Sequence, residues 1–95
     1  MANKRIRDKR HLRRICEDGC MFSRRDAIPH HLMCADRGMG LKAADNHAIP
    51  INWELHNELH RIGEPKFLAM YGWTEERIIK HAEGLYKETL QRRGK

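Results

Sequence analysis

In this 95-residue chain, the residues best spaced for chemistry are four histidines and an asparagine: His30-His31 after Pro29, Asn46, and His56 with His60. On a helix, an i, i+4 pair such as His56/His60 puts two imidazoles on one face about 6 Å apart, a span that one divalent metal can bridge. A third ligand is needed to turn a common pair into a site, and His30-His31 supplies candidates upstream. Neighbouring residues of a strand point to opposite sides. One of the two can therefore take the metal while the other stays free as a base, and the sequence alone does not set which. A neutral imidazole can accept a proton near pH 7, which is what activation of water requires.

The elements that must position these residues follow from local signals. Residues 27–33, Ala-Ile-Pro-His-His-Leu-Met, read as a short strand that Pro29 confines to an edge or to its own start. Ala48-Ile-Pro-Ile51 reads as a second short strand. Asn52 is a good N-cap, so a helix is expected from Trp53 to about Ile62, ending at Gly63. Leu55, Leu59 and Ile62 form its apolar stripe, and His56 and His60 lie one position round. Pro65 prevents direct continuation, and a short helix over Lys66–Tyr71 follows. Thr74 caps a last helix with Glu75 and Glu76 in its first turn and Arg92, Arg93 and Lys95 at its end, charges that complement the helix dipole. Ile78, Ile79, Ala82, Leu85, Tyr86 and Leu90 make its apolar face. Residues 1–14 carry seven cations and one acid, Asp8, with only a weak stripe of Ile6, Leu12 and Ile15. They read as a basic arm that contacts phosphate, as a helix that docks late, or as a solvated tail. Trp53 and Trp73 are expected in the core or between helices. The expectation is one domain of α+β class, with little sheet and mostly helical.

Length and charge bound the rest. Apolar residues are 40% of the chain and charged residues 34%, so the core is thin, and a bound metal would add to its folding energy. Nineteen Lys and Arg against thirteen acids, a net charge of +6, favour a polyanionic partner such as DNA. No run reaches the roughly 18 apolar residues of a membrane span, and the N-terminus lacks the apolar stretch of a signal peptide. No membrane partner is expected, and the expected location is cytoplasmic.

A strand with His-His, a loop, Asp45-Asn46, a second short strand and a helix with His-x3-His resembles the HNH endonucleases with the ββα-metal (His-Me) finger. The pattern stands here as I-P-H-H-L, then D-N-H-A-I-P-I-N-W-E-L-H-N-E-L-H. It is most similar to phage-type HNH nucleases, which also carry a Gly-rich loop, here Arg37-Gly-Met-Gly-Leu-Lys42, between the paired His and the second strand. The resemblance covers residues 16–72. It implies a finger over residues 16–63, preceded by the basic arm 1–15 and braced by helices over 64–93. His30, His56 and His60 would be ligands of one divalent metal (Mg, Mn, Ni or Zn). His31 would be the general base, and Asn46 would hold the loop and the base's backbone through its amide. A metal with three protein ligands keeps positions open for a phosphate oxygen and the leaving 3′-oxygen. Arg37, Lys42 and Arg61 are candidates to neutralise transition-state charge on DNA. The Gly38-x-Gly40 loop reads either as a phosphate cradle or as a plain connector. A short chain of this kind is also expected to need a protein partner for targeting.

The cysteines depart from the family pattern. Many members bind a structural zinc through two Cys pairs; here the first pair is stretched to Cys16-x3-Cys20, and Asn52 and Leu55 stand where the second would be. Cys34, with His11 or His47, is the candidate replacement for such a zinc; otherwise Cys34 is a small buried residue. Three cysteines are an odd number, and no secretory signal accompanies them, so structural disulfides are not expected. Two rivals to the nuclease are kept. One is a non-catalytic DNA-binding or recombination module in which the same histidines close a four-ligand zinc site. The other is a helix-turn-helix regulator built from residues 64–93, which leaves the histidines unexplained.

Overall fold

The computed structural model of the chain describes residues 6–36 and 44–94. Arg37, Lys42 and the Gly38-x-Gly40 loop lie outside the described residues, as does the start of the basic arm. The order is α1 (Lys9–Glu17), β1 (Ile28–His31), β2 (Ala48–Ile51), α2 (Trp53–Ile62), α3 (Glu64–Met70) and α4 (Glu75–Arg93), with 3-10 turns at Met33–Asp36 and Asp45–His47. The class is α+β. Among the described residues no helix is long and apolar enough to cross a membrane.

The strands pair antiparallel, with Ile28 opposite Ile51, Pro29 opposite Pro50, His30 opposite Ile49 and His31 opposite Ala48. The two prolines face each other, where neither has an N–H to give. The Pro50 carbonyl points away from β1 and accepts from Met21 N–H at 3.1 Å, so this pair falls in a gap of the ladder and both prolines are tolerated. All four residues of β2 are buried. Ile49, Ile51, Leu59, Phe67, Leu68, Ile78, Ala82, Leu32 and Cys20 form the core between sheet and helices.

Sequence expectation and structure agree for β2 and α2. The Asn52 side chain accepts from Glu54 N–H at 3.0 Å, and Gly63 ends α2 at φ +97°, a conformation that L side chains rarely adopt.

Other expectations are corrected. The first strand stops at His31 rather than residue 33, because the Glu64 carboxylate takes the N–H groups of Met33 and Cys34 and turns the chain into a 3-10 turn. Pro65 does not hold off the following helix. It occupies the first turn of α3, where an N–H has no helical partner to lose, so the helix begins at Glu64. Of the readings open for the N-terminal stretch, residues 9–17 take that of a docked helix, with Asp8 as N-cap, its side chain accepting from His11 N–H, and with His11 and Ile15 buried. Cys16 lies on this helix, and a turn follows at Gly19, φ +90°, where a Cβ would meet Arg24 O at 3.1 Å. Leu90 is 47% exposed, and its expected place in the interface goes to buried Thr89, whose hydroxyl meets His11 and Arg14 of α1. Trp53 is 58% exposed rather than packed. Trp73 packs against the core, with the Arg77 guanidinium 5.0 Å from its ring.

Candidate metal centre

β1 and α2 bring three imidazoles together. His30 Nδ1 lies 3.1 Å from His56 Nε2, which lies 3.1 Å from His60 Nε2. Their ligand atoms all fall within 4.8 Å of one another, close enough to hold one metal ion. His30 is buried, His56 half-buried and His60 exposed, so the cluster opens to solvent on the α2 side.

The protons on these rings and on Glu64 decide whether the cluster fits a cation. His30 Nε2 donates to Glu64 Oε1 at 2.7 Å. Burial by itself would raise the Glu64 carboxyl, but hydrogen bonds from His30 and from Met33 and Cys34 N–H outweigh it and hold the group below its ordinary value. Glu64 is therefore an anion, and a neutral His30 carries its proton on Nε2 and turns a bare Nδ1 lone pair to the cluster. A single N–H on His56 would then have to serve two neighbours. Three inward lone pairs around one divalent cation satisfy every ring at once, and Glu64 is the carboxylate that commonly backs a ligating histidine. Burial, then the neighbouring His30 and His60, push the His56 pKa down, which keeps the neutral ligand form available.

His31 has different partners, as strand alternation requires. Its Nε2 donates to Asp45 Oδ1 at 2.7 Å. Asp45 also takes the Asp8 backbone N–H on Oδ2 at 2.6 Å, and Arg7 stands 3.8 Å from Oδ1. Burial opposes ionisation of Asp45, but the Asp8 N–H, His31 and Arg7 outweigh it and lower its pKa. With Nε2–H held by a carboxylate, Nδ1 is the free lone pair of His31. Arg7, Lys9, Leu12, His31 and Asp45 line one cleft of about 250 Å³.

Other predicted residues are placed apart from this arrangement. Asn46 shares the turn with Asp45, but its Oδ1 is buried without a hydrogen-bond partner, and the side chain that reaches His31 is that of Asp45. Arg61 is exposed and pairs with Glu58 one turn back. Cys16, Cys20 and Cys34 are free, and among the described residues they join no group of three or more metal-holding side chains. Cys20 sits in the core and its Sγ accepts from Phe22 and Ser23 N–H. Burial pushes the Cys16 thiol up to about 11, and burial with the Glu64 carboxylate pushes Cys34 up to about 12, so neither is a ready thiolate. The proposed fourth ligands are engaged elsewhere, His11 with Thr89 and His47 with Glu83.

Sequence reasoning missed Glu64, gave Asp45 no role, and left Arg7 and Lys9 as undifferentiated cations of the arm. A glutamate directly after a helix-stopping glycine carries no periodic signal. The adjacency of Asp45 to Asn46 was the only hint of a carboxylate near the base. Comparison with protein-family models, with curated proteins and with solved structures finds no match to this chain.

Proposed function

We propose that the chain is a metal-dependent endonuclease of the HNH, ββα-metal type that hydrolyses DNA phosphodiester bonds. The observation that carries this reading is the convergence of His30, His56 and His60 on one point, with His31 the next residue of the same strand and held by Asp45. A divalent cation bound by the three histidines would supply Lewis-acid stabilisation of the phosphate and of the leaving oxygen. His31 takes a proton from water on Nδ1 while Asp45 fixes the ring's tautomer and stabilises the imidazolium that forms. The resulting hydroxide attacks phosphorus, the P–O3′ bond breaks, and the 3′-oxygen takes a proton from solvent, leaving 3′-hydroxyl and 5′-phosphate ends. Arg7 and Lys9, in the His31 cleft, offset the charge that builds on the phosphate.

The rival zinc module needs four protein ligands, and the cluster offers three among the described residues, which favours the hydrolytic reading. Plasmid nicking with Mg²⁺, Mn²⁺, Ni²⁺ and Zn²⁺ in turn tests it. The parent should nick with at least one of these metals, and His31→Ala should slow nicking by about 10²–10⁴-fold with metal binding retained. Equal rates for the two proteins would sink the mechanism.

A further inference from the structure

A second cleft, of about 270 Å³, lies between α1 and α4, and its lining is Arg10, Arg14, Thr89, Arg92 and Arg93, with no carboxylate. We infer that this cleft binds a backbone phosphate of nucleic acid, one that flanks the phosphate at His31. The inference deepens the nuclease reading but depends only on its polyanionic ligand.

The four guanidiniums differ in how firmly they are held. Arg14 is only 14% exposed; its Nε donates to Thr89 Oγ1 at 2.7 Å and its Nη2 to Leu85 O at 2.8 Å, which makes it a fixed charge. Its remaining Nη1 is buried with no hydrogen bond and has Asp18 at 3.6 Å. Arg93 is held by both oxygens of Asp8, at 2.6 Å each. Arg92 bonds exposed Glu88, a pairing of the kind that is weak and readily exchanged. Arg10 is exposed and has no ion-pair partner among the described residues. The flanking carboxylates Asp8, Asp18 and Glu88 thus leave cationic charge in excess, part of it preorganised and part free to close on a ligand. The planar forks suit phosphate oxygens.

Asp8 ties this cleft to the candidate active site. Its carboxylate holds Arg93 on one side, and its backbone N–H holds Asp45, the partner of His31, on the other. Two cationic clefts joined through one residue match a ligand with repeating anions. A single small anion would need only one of them.

The test is fluorescence anisotropy of a short duplex DNA, in chelator so that nothing is cut, over a salt series. Arg10→Ala/Arg92→Ala is compared with Lys66→Ala/Lys80→Ala, which removes the same charge elsewhere, and circular dichroism melts check both folds. The cleft variant should bind about tenfold more weakly, with a log K against log [salt] slope shallower by about two; the control should stay within about twofold of the parent. Arg10→Glu, which breaks no ion pair among the described residues, repeats the measurement should the double variant unfold. Equal losses in the two double variants overturn the inference. So does a loss confined to anionic phosphatidylserine vesicles with duplex binding intact. If the cleft variant loses duplex binding while the parent nicks plasmid with none of the four metals, the cleft stands and the nuclease reading fails. If the parent nicks plasmid and the cleft variant binds normally, the reverse holds.

Discussion

Two histidines are buried, His11 between α1 and α4 and His30 between β1 and α3, and their surroundings differ in sign. His30 has an ionised carboxylate behind it and two imidazoles in front. His11 has the Thr89 hydroxyl on Nδ1 at 2.6 Å, the Arg14 guanidinium sharing that hydroxyl, and no partner for Nε2. The first pocket carries negative charge and ring nitrogens close enough to hold a cation, and the second carries the positive charge of Arg14. Burial of a histidine therefore says little about metal. The charge of its second partner decides whether the ring is a ligand or a packing element that happens to be polar.

The largest way to break this contrast is to remove Glu64, which is 2% exposed and accepts from His30 and two backbone N–H groups. Glu64→Ala leaves these donors unpaired and should cost about 3–5 kcal/mol in urea unfolding. Glu64→Gln should fold and yet lower Ni²⁺ or Zn²⁺ affinity by about 10–100-fold in calorimetric titration. Unchanged affinity would show that the carboxylate does not tune the cluster. At the other pocket, Thr89→Val keeps the shape but strands His11 and Arg14 Nε, and should cost only about 1–3 kcal/mol with metal affinity unaltered. A larger loss than at Glu64→Ala would reverse the ranking of the two regions.

Burial first, then the charge of Arg14, lower the His11 pKa from its ordinary 6.5, so the folded state favours the neutral ring. The unfolded chain binds that proton more readily, so this contribution is complete above about pH 6.5 and is lost as pH falls through 6.5 toward the lower folded value. Thermal melts from pH 8 to pH 5 should show declining stability, and His11→Gln should remove part of that decline. An identical slope in the variant would place the acid sensitivity elsewhere. The smallest effect is expected at Arg61→Ala: its exposed pair with Glu58 is solvated, and Tm should not move.

How much was legible follows from how local each signal is. β2, α2 and the Gly63 stop were readable because a cap, an i, i+4 stripe and a left-handed glycine act within a few residues. Spacing pointed to His56 and His60 with a third ligand from His30-His31, resemblance to a family singled out His30, and the fold brings these three together. The face of α4 was misread at its C-terminal end, because Leu90 is apolar and Thr89 is not, although position 89 lies nearer the middle of the buried stripe. The partner there is a polar pair on α1, which no periodicity can announce. The arm's role was open for the same reason: α1 docks through a histidine rather than through a leucine stripe.

Sequence alone thus determined the short-range features of this protein: the element boundaries around the second strand and its helix, the spacing of four histidines, and the excess of positive charge. Tertiary structure decided which carboxylate stands behind which histidine. Glu64 reaches His30 across 34 positions and Asp45 reaches His31 across 14. Those pairings are set by how α3 and the Asp45 turn pack against β1. Which nitrogen of each ring faces a carboxylate and which is left free, on which its chemistry rests, follow from that packing.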